Sequence, residues 1–119
     1  MLNGQLHFNR IYIVTGRTDL RNGIDGLSAL VRLKFGKNPL EEGTIFLFCG
    51  GDRKTVKGLV WDRTGYVLIT KKLTRGHFQW PRNNEEARLL TQDDFNRLMD
   101  GFSIVSTIPR NTGRRNDVA

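Results

Sequence analysis

Basic side chains interleaved with aromatic ones make up the constellation in this sequence with the clearest chemical use. Residues 50–82 carry Arg53, Lys54, Lys57, Arg63, Lys71, Lys72, Arg75 and Arg82 against only Asp52 and Asp62, a local charge of +6, whereas residues 83–105 carry −3. Most of the net charge of +7 therefore comes from one stretch. Phosphates would be met by such a stretch as by any polyanion-binding face, and Trp61, Phe78 and Trp80 lie among the bases, where aromatic rings can stack on nucleobases. Together with His77 and with Arg21 further upstream, these residues form a candidate nucleic-acid-binding set: Arg21, Arg53, Lys54, Lys57, Arg63, Lys71, Lys72, Arg75, His77, Trp80 and Arg82. The plainer reading is a solvated basic surface, with Trp61 spent on packing inside a hairpin and Trp80 open to either use.

Other chemistry finds little support. Metal-dependent strand transfer needs converging carboxylates, but Asp19, Asp25, Asp52 and Asp62 each sit in a turn, cap or pairing context. His7, Cys49 and His77 lack zinc spacing, no phosphate-loop motif is present, and Gly50-Gly51 reads as a turn. The expectation is a chain with no catalytic residue, no cofactor, no metal and no small-molecule substrate. Cys49 stands alone in an apolar run, so it reads as a small buried hydrophobe. No apolar run approaches the roughly 18 residues that cross a bilayer, and the first ten residues lack a leader pattern. No membrane partner and a cytoplasmic location are expected.

The elements that must position the basic set follow from periodicity. Arg10–Thr15 reads as a strand ended by Gly16. Leu20, Ile24, Leu27 and Val31, with Leu30, mark one face of a helix that Thr18 caps and Gly36 ends, with Arg21 and Asp25 spaced to pair. Gly23 and Gly26 inside it cost about 1 kcal/mol each relative to Ala. Either another backbone packs closely there or an anion approaches the helix start. Thr44–Cys49 is apolar on both alternating faces, as expected of a strand covered on both sides. Thr55–Trp61 and Tyr66–Lys72 flank Asp62-Arg63-Thr64-Gly65 as a hairpin. Lys57, Leu59 and Trp61 share one of its faces, and Val56, Gly58 and Val60 the other. Gly76–Trp80 suggests a further short strand closed by Pro81. Thr91 caps a last helix whose apolar positions are Phe95, Leu98, Met99 and Phe102, with Gly101 breaking it.

At 119 residues the chain has room for one core. The expected architecture is α+β: a mainly antiparallel sheet of about four to five short strands with two helices packed on it. Residues 1–9 form an irregular start, 10–105 one domain, and 106–119 a flexible basic tail with too little apolar content to fold.

Three blocks carry a resemblance. They are Thr18-Asp19-Leu20-Arg21-Asn22-Gly23-Ile24-Asp25-Gly26-Leu27; then Phe46-Leu47-Phe48, Asp52-Arg53, Lys57 and Trp61-Asp62-Arg63-Thr64-Gly65-Tyr66; and Leu73-Thr74-Arg75-Gly76-His77-Phe78-Gln79-Trp80-Pro81. In this order and spacing they resemble the TnpB-type accessory proteins of IS-66-type bacterial insertion sequences. The resemblance implies an accessory role in transposition beside a separately encoded transposase. Gly50-Gly51 depart from it, standing where members often carry basic or Asn residues, which leaves that loop fewer phosphate partners of its own. Combined with the charge pattern, the resemblance gives a non-catalytic DNA-binding factor whose partners are DNA and the transposase, with self-association left open. The alternative is a protein adaptor that meets the transposase through the last helix and the acidic stretch, with no direct DNA contact.

Overall fold

The computed structural model describes residues 8–82 and 84–102; the expected tail, residues 106–119, and most of the irregular start lie outside them. Five strands form one sheet: β1 (Arg10–Val14), β2 (Thr44–Cys49), β3 (Thr55–Trp61), β4 (Tyr66–Lys72) and β5 (Ala87–Leu90), in the order β4-β3-β2-β1-β5. Only β1 and β2 run parallel; the other three neighbouring pairs are antiparallel, so the α+β architecture with a mainly antiparallel sheet is what forms.

All six residues of β2 are buried, as two-sided apolarity requires of a central strand. Alternation divides the core in two. Phe46 and Phe48 join Val14, Leu59, Leu27 and Val31 on one face, beneath the helical segment 20–34. Ile45, Leu47 and Cys49 join Ile11, Ile13, Val56, Phe78, Trp80 and Leu90 on the other. Helix α2 (Gln92–Met99) closes that second face with Phe95, Leu98 and Met99. Its start is the expected one, Thr91 accepting from the Asp94 amide at 3.1 Å. It ends before Phe102, at Gly101 (φ +90°), where the Gly101 amide bonds the Leu98 carbonyl and the Phe102 amide the Arg97 carbonyl, a Schellman ending. Lys71 then places its ammonium 2.6 Å from the Met99 carbonyl, where the helix dipole favours a cation.

The first helix departs from the even stripe read from its apolar residues. It is a 3₁₀ turn at Leu20–Asn22, a short α-helix α1 at Gly23–Ala29, and a π-helical turn at Leu30–Lys34. Asp19, not Thr18, is the cap: its carboxylate accepts from the Arg21 amide at 3.1 Å, while Thr18 is buried and its amide bonds the Cys49 carbonyl. The same carboxylate takes Arg21 away from Asp25, the partner expected for it. Gly23 adopts φ +70° at the junction of the two helical pieces, a conformation that a side chain resists. Close packing of another backbone, the first reading of the two glycines, does not occur: a Cβ at Gly23 would meet nothing within 4 Å, and the nearest atoms to one at Gly26 belong to the Asn22 side chain, one turn back.

Gly76–Trp80 forms no strand. Phe78 and Trp80 alternate like strand residues because both plug the core, while the backbone around them crosses the strand ends. The Phe78 amide bonds the Arg53 carbonyl at 2.7 Å, the Gly16 amide bonds the Pro81 carbonyl at 2.8 Å, and the Trp80 indole donates to the Val14 carbonyl at 2.9 Å. The fifth strand is Ala87–Leu90, within the stretch read as acidic and adaptor-like.

Gly58 is the tightest point of the hairpin: a Cβ there would sit 2.7 Å from Ile45 Cδ1 and 3.2 Å from Leu47 Cδ2, both fully buried. Gly58→Val is expected to lower unfolding stability by about 1–3 kcal/mol through overpacking. Urea denaturation followed by tryptophan fluorescence measures this, and an unchanged midpoint would show that the two faces are less closely packed than stated.

Candidate nucleic-acid interface

Strand directions bring three segments to one end of the sheet, where β1, β2 and β4 finish and β3 and β5 begin. These are the loop after β1 (residues 15–19), the loop between β2 and β3 (50–54), and the long connection from β4 to β5 (73–86). Backbone bonds tie them together. The Leu73 amide donates to the Lys54 carbonyl at 2.8 Å, the Thr15 amide to the Glu86 carbonyl at 2.9 Å, and the Thr15 hydroxyl to the Asn84 carbonyl. The Gly50 carbonyl accepts from both the Arg53 amide (3.1 Å) and Arg82 Nη2 (2.9 Å).

Two adjoining open hollows result, of about 780 and 700 Å³. The first is lined by Arg17, Asp19, Arg21, Gly50, Gly51, Asp52 and Lys57 among others, the second by Gly16, Arg17, Gly51, Arg53, Arg82 and Glu85. They share Arg17 and Gly51. The acids here are partly spent: Glu85 accepts from Lys34 at 2.6 Å, Asp19 holds Arg21 at 2.8 Å, and Asp52 Oδ1 accepts from the Lys54 amide at 2.9 Å. The side-chain hydrogen bond from Arg21 leads in lowering the Asp19 carboxyl to about 2, and Asp19 in turn raises Arg21. Cys49 lies buried below the loop. Desolvation outweighs the pull of Arg82 and pushes its thiol up to about 11.

Of the residues singled out from the sequence, Arg21, Arg53, Lys54, Lys57, Lys72, Arg75, His77 and Arg82 lie at this end, although Lys57 donates to the Leu20 carbonyl at 3.1 Å and is half-buried. Arg75 and His77 are exposed on the connection after β4, and Lys72 is exposed at the end of β4. Three others are used differently. Arg63 sits at the opposite end, in the hairpin turn with φ +80°, 3.8 Å from Glu42. Lys71 caps α2, and the Trp80 ring is buried. Trp61 packs edge-on against Tyr66, with ring centroids 5.2 Å apart.

Sequence reasoning overlooked Arg17. Its signal was topological: strand, loop, helix and parallel strand make a unit whose ligands gather at the carboxyl ends of the strands. Arg17 also brings a base to the bare Gly50-Gly51 loop, its guanidinium lying over Gly51 so closely that a Cβ there would be in contact with it, 3.4 Å from Nε. Among the described residues no group of three His, Cys, Asp or Glu is placed to hold a metal ion, and no helix is long and apolar enough to cross a membrane.

Residues 9–108 match the family described as IS66 Orf2-like protein. The chain belongs to that family. Two similar chains come from Sinorhizobium fredii (strain NBRC 101917 / NGR234), both described as uncharacterized proteins. One, y4hO, is 35% identical over 93 residues, covering 78% of this chain and 80% of its own length. The other, y4jC, is 33% identical over 93 residues, covering 78% and 79%. No solved structure matches. Membership in the IS66 Orf2-like family supports an accessory role in transposition rather than a known catalytic activity.

Two outcomes test the site's electrostatics. The Asp19 carboxyl, followed by its NMR shift, should titrate near 2 and return toward 3.8 in Arg21→Ala. Because the folded value is the lower one, the contact's contribution is complete above the ordinary carboxylate range and fades as pH falls toward 2. The Cys49 thiol should resist an aromatic disulfide reagent at pH 8 in the native protein and react once unfolded, since thiolate is the reacting form. Rapid native reaction would show that Cys49 is not sealed.

Proposed function

We propose that this IS66 Orf2-like protein is a non-catalytic accessory factor in the cytoplasm that holds the DNA backbone against the cationic end of its sheet and serves a separate transposase there. One observation carries the reading: Arg17, Arg53, Lys54, Lys72, Arg75 and Arg82, scattered over more than sixty positions of sequence, are delivered to the same end of the fold. Covering a sheet does not by itself call for that convergence, whereas a polyanion of repeating phosphates does. Contacts of this kind position DNA without reading bases, so sequence preference would come from the transposase or from the element's end.

The adaptor reading has less surface to use. The apolar side of α2 is spent, since Phe95, Leu98 and Met99 are fully buried. A partner meeting that helix would face its polar side.

Duplex DNA binding should weaken with salt at a log–log slope of about −4 if about four to five phosphates are neutralised. Arg53, Lys72 and Arg75 changed together to Ala should flatten the slope by about 2 to 3 and weaken all sequences alike, while Arg63→Ala leaves it unchanged. Mobility-shift titrations on the element's terminal repeat and on an unrelated duplex, at several salt concentrations, read both effects. A complex with purified transposase that tolerates salt, from a protein that leaves duplex DNA unshifted, would favour the adaptor instead.

A further inference from the structure

Arg17, Arg53 and Arg82 reach one hollow from three separate segments. Among the described residues no carboxylate lies within ion-pair distance of any of the three, and Glu85, the acid of that hollow, is held by Lys34 at 2.6 Å. Arg82 is fixed in place: its Nη2 donates to the Gly50 carbonyl at 2.9 Å, while its Nη1 is sealed from solvent with no hydrogen-bond partner. A guanidinium tethered by a neutral carbonyl, half desolvated and not neutralised, is a strong fixed positive charge. Arg17 lies over Gly51, in contact distance of that bare backbone, and Arg53 has a left-handed backbone, φ +60°.

We infer that this hollow is a seat for a single phosphate group, gripped by Arg17 and Arg53 over Gly51, with Arg82 supplying fixed charge from the wall. Two guanidinium forks arriving from separate segments, with a third positive charge behind them, suit a tetrahedral anion with several acceptor oxygens better than a planar carboxylate, which one fork satisfies. The seat rests on the proposed function only in taking a nucleic acid as the source of the phosphate. That source is either a phosphodiester within a strand or a terminal phosphate, and both offer the same chemistry.

Calorimetric titration of the full chain with inorganic pyrophosphate at constant ionic strength tests the seat. Saturable one-to-one binding is expected, weakened about tenfold or more in Arg17→Ala, where a charge-assisted contact is lost, and unchanged in Arg63→Ala. Among the described residues the exposed Arg17 side chain makes no ion pair, so its loss should leave thermal unfolding unaltered. Arg82→Lys keeps a donor for the Gly50 carbonyl and the positive charge, so pyrophosphate binding should stay near that of the unaltered protein, whereas Arg82→Met, which removes the charge, should weaken it. Absence of saturation, or equal effects of the Arg17 and Arg63 changes, overturns the seat even if salt-dependent DNA binding persists. Saturable pyrophosphate binding without DNA binding supports the seat while removing the DNA reading. Duplexes with and without a 5′ phosphate then assign the source: equal competition against pyrophosphate points to the strand backbone, preference for the phosphorylated end to a terminal group.

Discussion

The structure depends on hiding both faces of β2. Six consecutive residues from Thr44 to Cys49 leave no side of this strand that water can share, and at roughly 25 cal/mol per Å² of apolar surface, leaving Phe46, Phe48, Ile45 and Leu47 half covered would cost several kcal/mol. One cover is the broken helix from Leu20 to Lys34. The other is built from two pieces distant in sequence, α2 and the pair Phe78 and Trp80. After β4, at one edge, the chain must travel to β5, at the other, while dropping two aromatic rings beneath the sheet. The path taken lies across the strand ends, and it carries Arg75, His77 and Arg82 with it. Closing the second face thus fixes where this connection runs, but nothing in that packing requires the connection to be basic.

Gathering like charges opposes folding, though mildly. Two unit charges roughly 8 Å apart in water repel by about 0.5 kcal/mol, and salt reduces this further. The fold moderates the repulsion by pairing Arg21 with Asp19 and Lys34 with Glu85 at the margins, but among the described residues no acid pairs with Arg17, Arg53 or Arg82. Arg82 is the telling one. Its sealed Nη1 is a buried donor left unmade, a feature that native proteins seldom keep without a use.

The central strand, the hairpin and the capped last helix could be read from sequence because each is dictated locally: two-sided apolarity for β2, Asp and Gly at the ends of a four-residue turn, and Thr91 followed by two acids. Asp62 shows how local that dictation is, since one carboxylate oxygen takes the Thr64 and Gly65 amides and the Thr64 hydroxyl and is lowered in pKa mainly by Thr64. What escaped was non-local. β5 is four residues at an edge, with Leu89 exposed and only Leu90 buried, so neither alternation nor apolarity marks it. Phe78 and Trp80 imitate strand periodicity while serving as plugs. The resemblance to the transposition family supplied a context but no geometry, and the site went only partly recognised because charge was counted along the chain, where Arg17 falls outside the dense window.

A basic or aromatic residue therefore says little until its polar atoms are accounted for. Lys71 spends its ammonium on the Met99 carbonyl, Lys57 on the Leu20 carbonyl, Arg21 on Asp19, and Trp80 its indole on the Val14 carbonyl. Each of these residues could be mistaken for a ligand-binding group from sequence alone, and each is already committed to holding an end or an edge of the fold. Arg17 and Arg53 are not committed in this way, because among the described residues no side-chain hydrogen bond or ion pair engages them. The division between structural and available cations follows the architecture: Lys57 and Lys71, beneath or beside the sheet, meet carbonyls that the helical segments leave open, while Arg17 and Arg53, on the loops beyond the strand ends, are left to meet solvent. An anion arriving at that end would displace water from guanidinium groups without breaking any bond the fold relies on, which is the physical condition for binding that leaves the fold intact.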